Sequence, residues 1–154
     1  MKKLIKKLIL IILPLMLLGC GYVPMYKNLN NLNFSIIIDE TSGNRKINNI
    51  LKSKLNNYSS NNENNKYKIT INSSFEKIIV AKDTTGAATE YKLTVVVVFN
   101  IISDKFNKQL KYSENFSMQS ISDKLEEQDY EENIQNSLAN TIARKLILQL
   151  SQIQ

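Results

Sequence analysis

Histidine is missing from this chain of 154 residues, cysteine occurs once, and glycine and proline are sparse at four and two. Without histidine the chain lacks the commonest general base and the commonest metal ligand. One cysteine builds neither a disulfide framework nor a redox pair. No Gly-rich phosphate loop, nucleophile elbow or metal-ligand spacing occurs, and Gly43 and Gly86 read as turn residues. The abundant acids from Glu126 to Glu132 crowd at a helix start, where solvated carboxylates are ordinary. The expectation is therefore a binding or structural protein, not an enzyme, with no cofactor and no metal.

Long hydrophobic runs are lacking as well. The apolar run Leu8–Leu18 has 11 residues, about 17 Å as a helix against a hydrocarbon core of ~30 Å. Lys2, Lys3, Lys6 and Lys7 precede it, and it closes in Leu17-Leu18-Gly19-Cys20. A basic n-region, a short apolar stretch and a small residue before the cleavage point make a secretory signal peptide over residues 1–19. With the cysteine directly after Gly19, the signal resembles the lipobox of bacterial lipoproteins. That resemblance implies cleavage between Gly19 and Cys20, a diacylglycerol thioether on the Cys20 sulfur and an N-acyl chain such as palmitate on the new amine. Two or more chains make an anchor durable where one is marginal. The plainer alternative is an ordinary signal peptide with an incidental cysteine.

Of the formal charge of +6, four belong to that leader. With its four lysines set aside, 16 basic and 14 acidic residues remain, a formal +2, which gives no footprint of a nucleic-acid binder. The 135 residues from Cys20 onward suit one domain by length. Asparagine is frequent, with 20 in the chain, and the cluster Asn61-Asn62-Glu63-Asn64-Asn65 reads as a polar loop.

Residues 20–33 carry Gly, Pro and several Asn without a period and read as a tether to a domain over 34–154. Phe34, Ile36 and Ile38 alternate with Ser35, Ile37 and Asp39 as a short strand. Thr41-Ser42-Gly43-Asn44 offers capping groups for a helix striped by Ile47, Ile50, Leu51, Leu55 and Tyr58. The period then becomes two. Tyr67, Ile69, Ile71 and Phe75 mark one strand; Tyr91, Leu93, Val95, Val97, Phe99 and Ile101 mark the strongest; Leu110, Tyr112, Phe116 and Met118 mark a third. Short connections make these an antiparallel meander. Glu114 breaks the apolar register of its strand and marks either a bulge or an edge. A closing helix descends through Tyr130, Ile134, Leu138, Ile142, Leu146, Leu150 and Ile153. The expected fold is α+β, with two helices on one face of a mostly antiparallel four-stranded sheet.

The opposite sheet face is mostly polar, through Lys68, Thr70, Asn72, Lys92 and Thr94, yet Val96, Val98 and Ile102 project there too. A central strand tolerates such residues; equally, the patch meets a protein wall or an acyl chain. Lys77, Lys82, Lys92, Lys108 and Lys111 lie on or beside the meander. They either serve ordinary solubility or meet the phosphates of an anionic glycolipid as flexible point charges.

Gly19-Cys20-Gly21-Tyr22-Val23-Pro24-Met25-Tyr26 resembles the mature start of the lipopolysaccharide-assembly lipoprotein family LptE in its alphaproteobacterial form. Ala87-Ala88-Thr89-Glu90-Tyr91-Lys92-Leu93 is similar to the family's central hairpin. Leu125-Glu126-Glu127-Gln128-Asp129 and Ala143-Arg144-Lys145-Leu146-Ile147-Leu148-Gln149-Leu150 are similar to its closing helix. Glu90 stands where relatives often carry Arg, and the helix is not alanine-rich. The resemblance implies an outer-membrane lipoprotein, anchored through Cys20 on the periplasmic side. It further implies that the domain plugs the β-barrel LptD, assists its assembly and helps deliver lipopolysaccharide to the cell surface. Gly21 agrees, because Asp after the lipidated cysteine is a common inner-membrane retention signal. The competing reading is an envelope lipoprotein that binds peptidoglycan or another envelope-machine subunit.

Overall fold

Strict alternation along residues 66–75 and 91–102 fixes which side of each strand is buried, and the rest of the architecture follows from covering that side. The computed structural model describes residues 34–59 and 65–153. The leader 1–19, the tether 20–33 with Cys20, and most of the Asn-rich loop lie outside them. The described elements are β1 (Ser35–Gly43), α1 (Arg45–Asn56), β2 (Lys66–Lys82), β3 (Ala88–Ile102), β4 (Asn107–Gln119) and α2 (Lys124–Ser151).

The four strands lie in the order β1-β2-β3-β4. β2, β3 and β4 form the expected antiparallel meander, and β4 pairs with β3 in one unbroken register from Ile102↔Asn107 to Glu90↔Gln119. Glu114 therefore marks an edge strand and no bulge. β1 runs parallel to β2, from Ser35↔Lys66 to Gly43↔Ser73. A parallel pair needs a crossover, and α1 supplies it.

Leu93, Val95, Val97, Phe99 and Ile101 on β3 are fully buried, as are Ile69 and Ile71 opposite them on β2. Over this face α1 lies on β1 and β2, α2 lies on β3 and β4, and the helices pack against each other. Ile47, Leu51 and Leu55 from α1 and Ile142, Leu146 and Leu150 from α2 close the core at zero exposure. Each such side chain contributes about 1.5–3 kcal/mol of transfer free energy.

Two expectations are corrected. Tyr130 does not join the buried stripe but stands 41% exposed. Ile134, Leu138, Ile142, Leu146 and Leu150 are spaced by four, and each such step drifts about 40° around a helix of 3.6 residues per turn. The stripe is instead two residues wide, adding Ala139, Ala143 and Ile147, and toward the N-terminus it passes to Glu127. The acids at the start of α2 are accordingly not all solvated, since Glu127 is only 6% exposed.

Candidate functional site

Three surfaces could carry function, and each is built from a definite register. The first lies at the upper end of the sheet, where β2 turns into β3. Asp83 Oδ1 accepts from the Thr85 N–H at 2.8 Å, the Thr85 hydroxyl at 2.6 Å and the Ala87 N–H at 3.0 Å, while Gly86 takes φ +87°. These bonds, that from the Thr85 hydroxyl foremost, hold the Asp83 carboxyl below the usual carboxylate range. The result is a rigid Asx-type turn at the tip of a long hairpin.

Beneath the tip is a charged cluster. Lys77 shares the helix-side row with Tyr67, Ile69, Ile71, Ser73 and Phe75. Its Nζ reaches Glu127 at 3.2 Å and Glu131 at 2.9 Å and sits 4.1 Å from the centre of the Tyr91 ring. The second oxygen of Glu127 accepts from the Ile121 N–H at 3.1 Å and the Ser120 hydroxyl at 3.2 Å. Burial alone would raise the Glu127 carboxyl. The Ile121 N–H, Lys77 and Ser120 outweigh it and hold the group at about 2. Burial also works against the Lys77 cation, and hydrogen bonds to Glu131 and Glu127 reverse the sign, so its pKa is raised. With every charge answered, the cluster fastens the first turns of α2 to the sheet.

The second surface is the side of the sheet opposite the helices. Lys92, Thr94, Val96, Val98, Asn100 and Ile102 project there from β3. Ser117, Asn115, Ser113, Lys111, Gln109 and Asn107 flank them from β4. On the other side stand Ile78, Glu76, Ser74, Asn72, Thr70 and Lys68 from β2. Val96 and Val98 are half-buried by these neighbours, whereas Ile102 is 50% exposed. Asn100 is tied to Gln109 at 2.8 Å and Lys68 to Asp39 at 3.0 Å. The face is thus an aliphatic stripe in a polar field, suited to an amphiphile or a mixed protein wall.

The structure sorts the sequence candidates clearly. Lys77 points to the helix side and is committed to Glu127 and Glu131. Lys92 and Lys111 share the open face, the first at its upper end and the second beside Val98. Lys82 and Lys108 are exposed at strand ends. Among the described residues no ion pair engages Lys82, Lys92, Lys108 or Lys111. The described residues hold no group of three or more His, Cys, Asp or Glu able to bind a metal ion, and no helix long and apolar enough to cross a membrane.

The third surface is a cavity of about 200 Å³ at the lower end, lined by Tyr67, Phe106, Ser103, Lys66, Lys105 and Ile153 among others. Its two aromatic rings lie 5.9 Å apart.

Solved bacterial lipoproteins share this fold. The rare lipoprotein B of Shewanella oneidensis superposes with a TM-score of 0.57 over 75% of this chain and 96% of its own, at 15% identity. Lipoprotein B of Nitrosomonas europaea gives 0.55 over 79% and 87%, at 13% identity. A minor lipoprotein of Acinetobacter baumannii gives 0.52 over 79% and 94%, at 16% identity. No curated protein matches the chain in sequence. The sequence model of LptE, described as lipopolysaccharide-assembly, matches residues 29–150, and the chain belongs to that family.

Proposed function

We propose that this protein is the lipid-anchored partner of an outer-membrane barrel of the LptD type, and that it acts by binding and without catalysis. Export removes residues 1–19, acyl chains on Cys20 hold the chain in the periplasmic face of the outer membrane, and residues 20–33 give the domain reach. The folded body then enters the barrel, blocks leakage, supports assembly of the barrel wall and helps pass lipopolysaccharide to the surface.

The observation that carries this reading is the family match across residues 29–150. The open sheet face supports it physically. An aliphatic stripe bordered by hydroxyl and amide groups suits a wall of mixed polarity, and Lys92 and Lys111, in no ion pair among the described residues, bring two cations to that face for glycolipid phosphates. Lys82 adds a third at the hairpin tip. Lys77 helps only indirectly, by fixing the α2 end that stands beside the tip.

The test is to purify the tagged full chain from solubilised envelopes and identify what accompanies it. A stoichiometric barrel of the LptD type is the expected result. Recovery of the chain alone, or with peptidoglycan-associated proteins, would sink the proposal. The glycolipid role has its own measurement: Lys92→Glu with Lys111→Glu should weaken binding of purified lipopolysaccharide, and unchanged binding removes these lysines from the mechanism.

A further inference from the structure

The cavity of about 200 Å³ at the lower end of the sheet has no part in the barrel reading. The pairing of β2 with β3 stops at Lys68↔Ile102, so Tyr67 stands level with the β3–β4 turn. That turn is held from within. The Ser103 N–H donates to the Phe106 carbonyl at 3.0 Å, and Ser103 Oγ accepts from the Phe106 N–H at 3.3 Å. The Phe106 ring is thereby set 5.9 Å from that of Tyr67, and the buried Phe34 ring backs Tyr67 at 5.5 Å. Ile153, just past α2, adds an aliphatic wall.

The polar groups around these walls carry definite signs. Tyr67 is only 3% exposed, yet its hydroxyl makes no hydrogen bond among the described residues. A buried polar group without a partner asks for one. Among the described residues no side-chain oxygen or nitrogen is both fully closed off and unbonded. The phenol therefore keeps an opening, and the cavity that Tyr67 lines supplies it. Burial raises its pKa, so at neutral pH it is an O–H donor. Lys66, Lys105 and Asp104 line the same cavity and are exposed, and none makes an ion pair among the described residues. Two cations and one carboxylate leave the lining at a formal +1.

Size and charge together define the ligand. An apolar cavity of ~150 Å³ holds benzene, so this one has room for a single ring and one small polar group. A neutral ring would leave the phenol and both lysines without a partner, and a dianion would exceed the charge of the lining. From the two rings, the unbonded phenol and this charge balance we infer that the cavity binds an apolar monocarboxylate. Its carboxylate accepts from the Tyr67 hydroxyl within reach of the flexible Lys66 and Lys105 ammonium groups. Its ring or short aliphatic body lies against Phe106 and Ile153. Asp104 disfavours a second negative charge. Such a carboxylate belongs either to a free small acid or to the C-terminus of a peptide ending in an apolar residue. The site lies at the opposite end of the sheet from the hairpin tip and stands or falls apart from the barrel reading.

Heteronuclear NMR of the full chain in non-ionic detergent, titrated with phenylacetate, tests the site. Saturable shifts of the Tyr67, Phe106 and Ile153 signals are expected, and their absence overturns the inference. Phenethyl alcohol supplies the ring without the charge, and phenethylamine supplies the opposite charge. Both should bind about tenfold more weakly or worse, and either one binding as well as phenylacetate refutes the carboxylate assignment. Tyr67→Phe deletes only the hydroxyl and should weaken phenylacetate about tenfold, while Lys66→Glu with Lys105→Glu should weaken it further. Unchanged affinity in both variants removes the carboxylate from this seat and refutes the proposal. N-acetylphenylalanine separates the two sources: tighter binding than phenylacetate assigns the site to a peptide C-terminus, weaker binding to a free acid, and either result upholds the site. Circular dichroism confirms that each variant is folded. No barrel enters these measurements, so their failure leaves the copurification test untouched.

Discussion

Gly43 passes so close to Ser73 that a Cβ on the glycine would lie 1.9 Å from the Ser73 carbonyl oxygen. This close approach is where β1 leaves the sheet. The next residue, Asn44, donates its N–H to the same carbonyl at 2.8 Å and caps α1 by accepting from the Ile47 N–H at 3.0 Å. Gly43→Ala should therefore force backbone apart at the crossover and cost more than the ~1 kcal/mol of a left-handed alanine alone. Gly86→Ala is the matched control, with φ +87° against +88° and nothing within 4 Å of the added Cβ. Urea titration should show a much larger fall in midpoint for Gly43→Ala than for Gly86→Ala.

Beneath the crossover, Ser73 Oγ donates to Asn48 Oδ1 at 2.7 Å, and Asn48 Nδ2 donates to the Ser42 carbonyl at 2.9 Å. Both side chains are buried, so removing either leaves a desolvated group without its partner. Ser73→Ala and Asn48→Ala should each cost about 1–3 kcal/mol. A double-mutant cycle should return a coupling of about 0.5–3 kcal/mol, because the second removal no longer orphans the first partner.

Acid should loosen α2 through Glu127. Its folded value, about 2, lies below the ordinary 4.5, so the unfolded chain takes up the proton first. The stabilisation is complete above about pH 4.5 and drains away as pH falls toward 2. Its size at neutral pH is on the order of 3 kcal/mol. Glu127→Gln should remove most of this pH dependence in denaturation measured between pH 7 and 2.5, and Lys77→Met should move the acid loss to higher pH.

Depth should separate two leucines. Leu51 on α1 is fully buried and Leu125 at the start of α2 is 75% exposed. Leu51→Ala should cost about 2–5 kcal/mol by opening a cavity, whereas Leu125→Ala should stay within ~0.5 kcal/mol. Thermal melts of the two variants check the contrast.

Periodicity carried most of the architecture. Ile69, Ile71, Leu93, Val95, Val97 and Phe99 occupy the sides that alternation assigned them, because a half-buried strand has no other way to satisfy both faces. Ile47, Leu51 and Leu55 do the same for α1. The parallel seat of β1 had no such local signal, since its partners lie some thirty residues away. Lys77 and Glu127 were hidden for a related reason. Each is a charge at an apolar position, and only the meeting of β2 with α2 turns the two misfits into a pair. Asn48 was equally silent, lying one residue from Ile47 with a partner on β2. Of the candidate lysines, sequence placed them near the meander; register was needed to show that Lys77 faces the helices while Lys92 and Lys111 face outward.

Mechanical load has a preferred direction in this fold. β1 is the first of the described strands and runs parallel to β2. Tension drawn along that strand is borne in shear by both parts of the ladder, Ser35↔Lys66 to Ile38↔Ile69 and Thr41↔Ile71 to Gly43↔Ser73. Many hydrogen bonds must slip together, where a peeled strand would lose them one by one. This strand is thus a point of strength, and resistance to pulling on it is governed by how fast the ladder gives way and not by equilibrium stability.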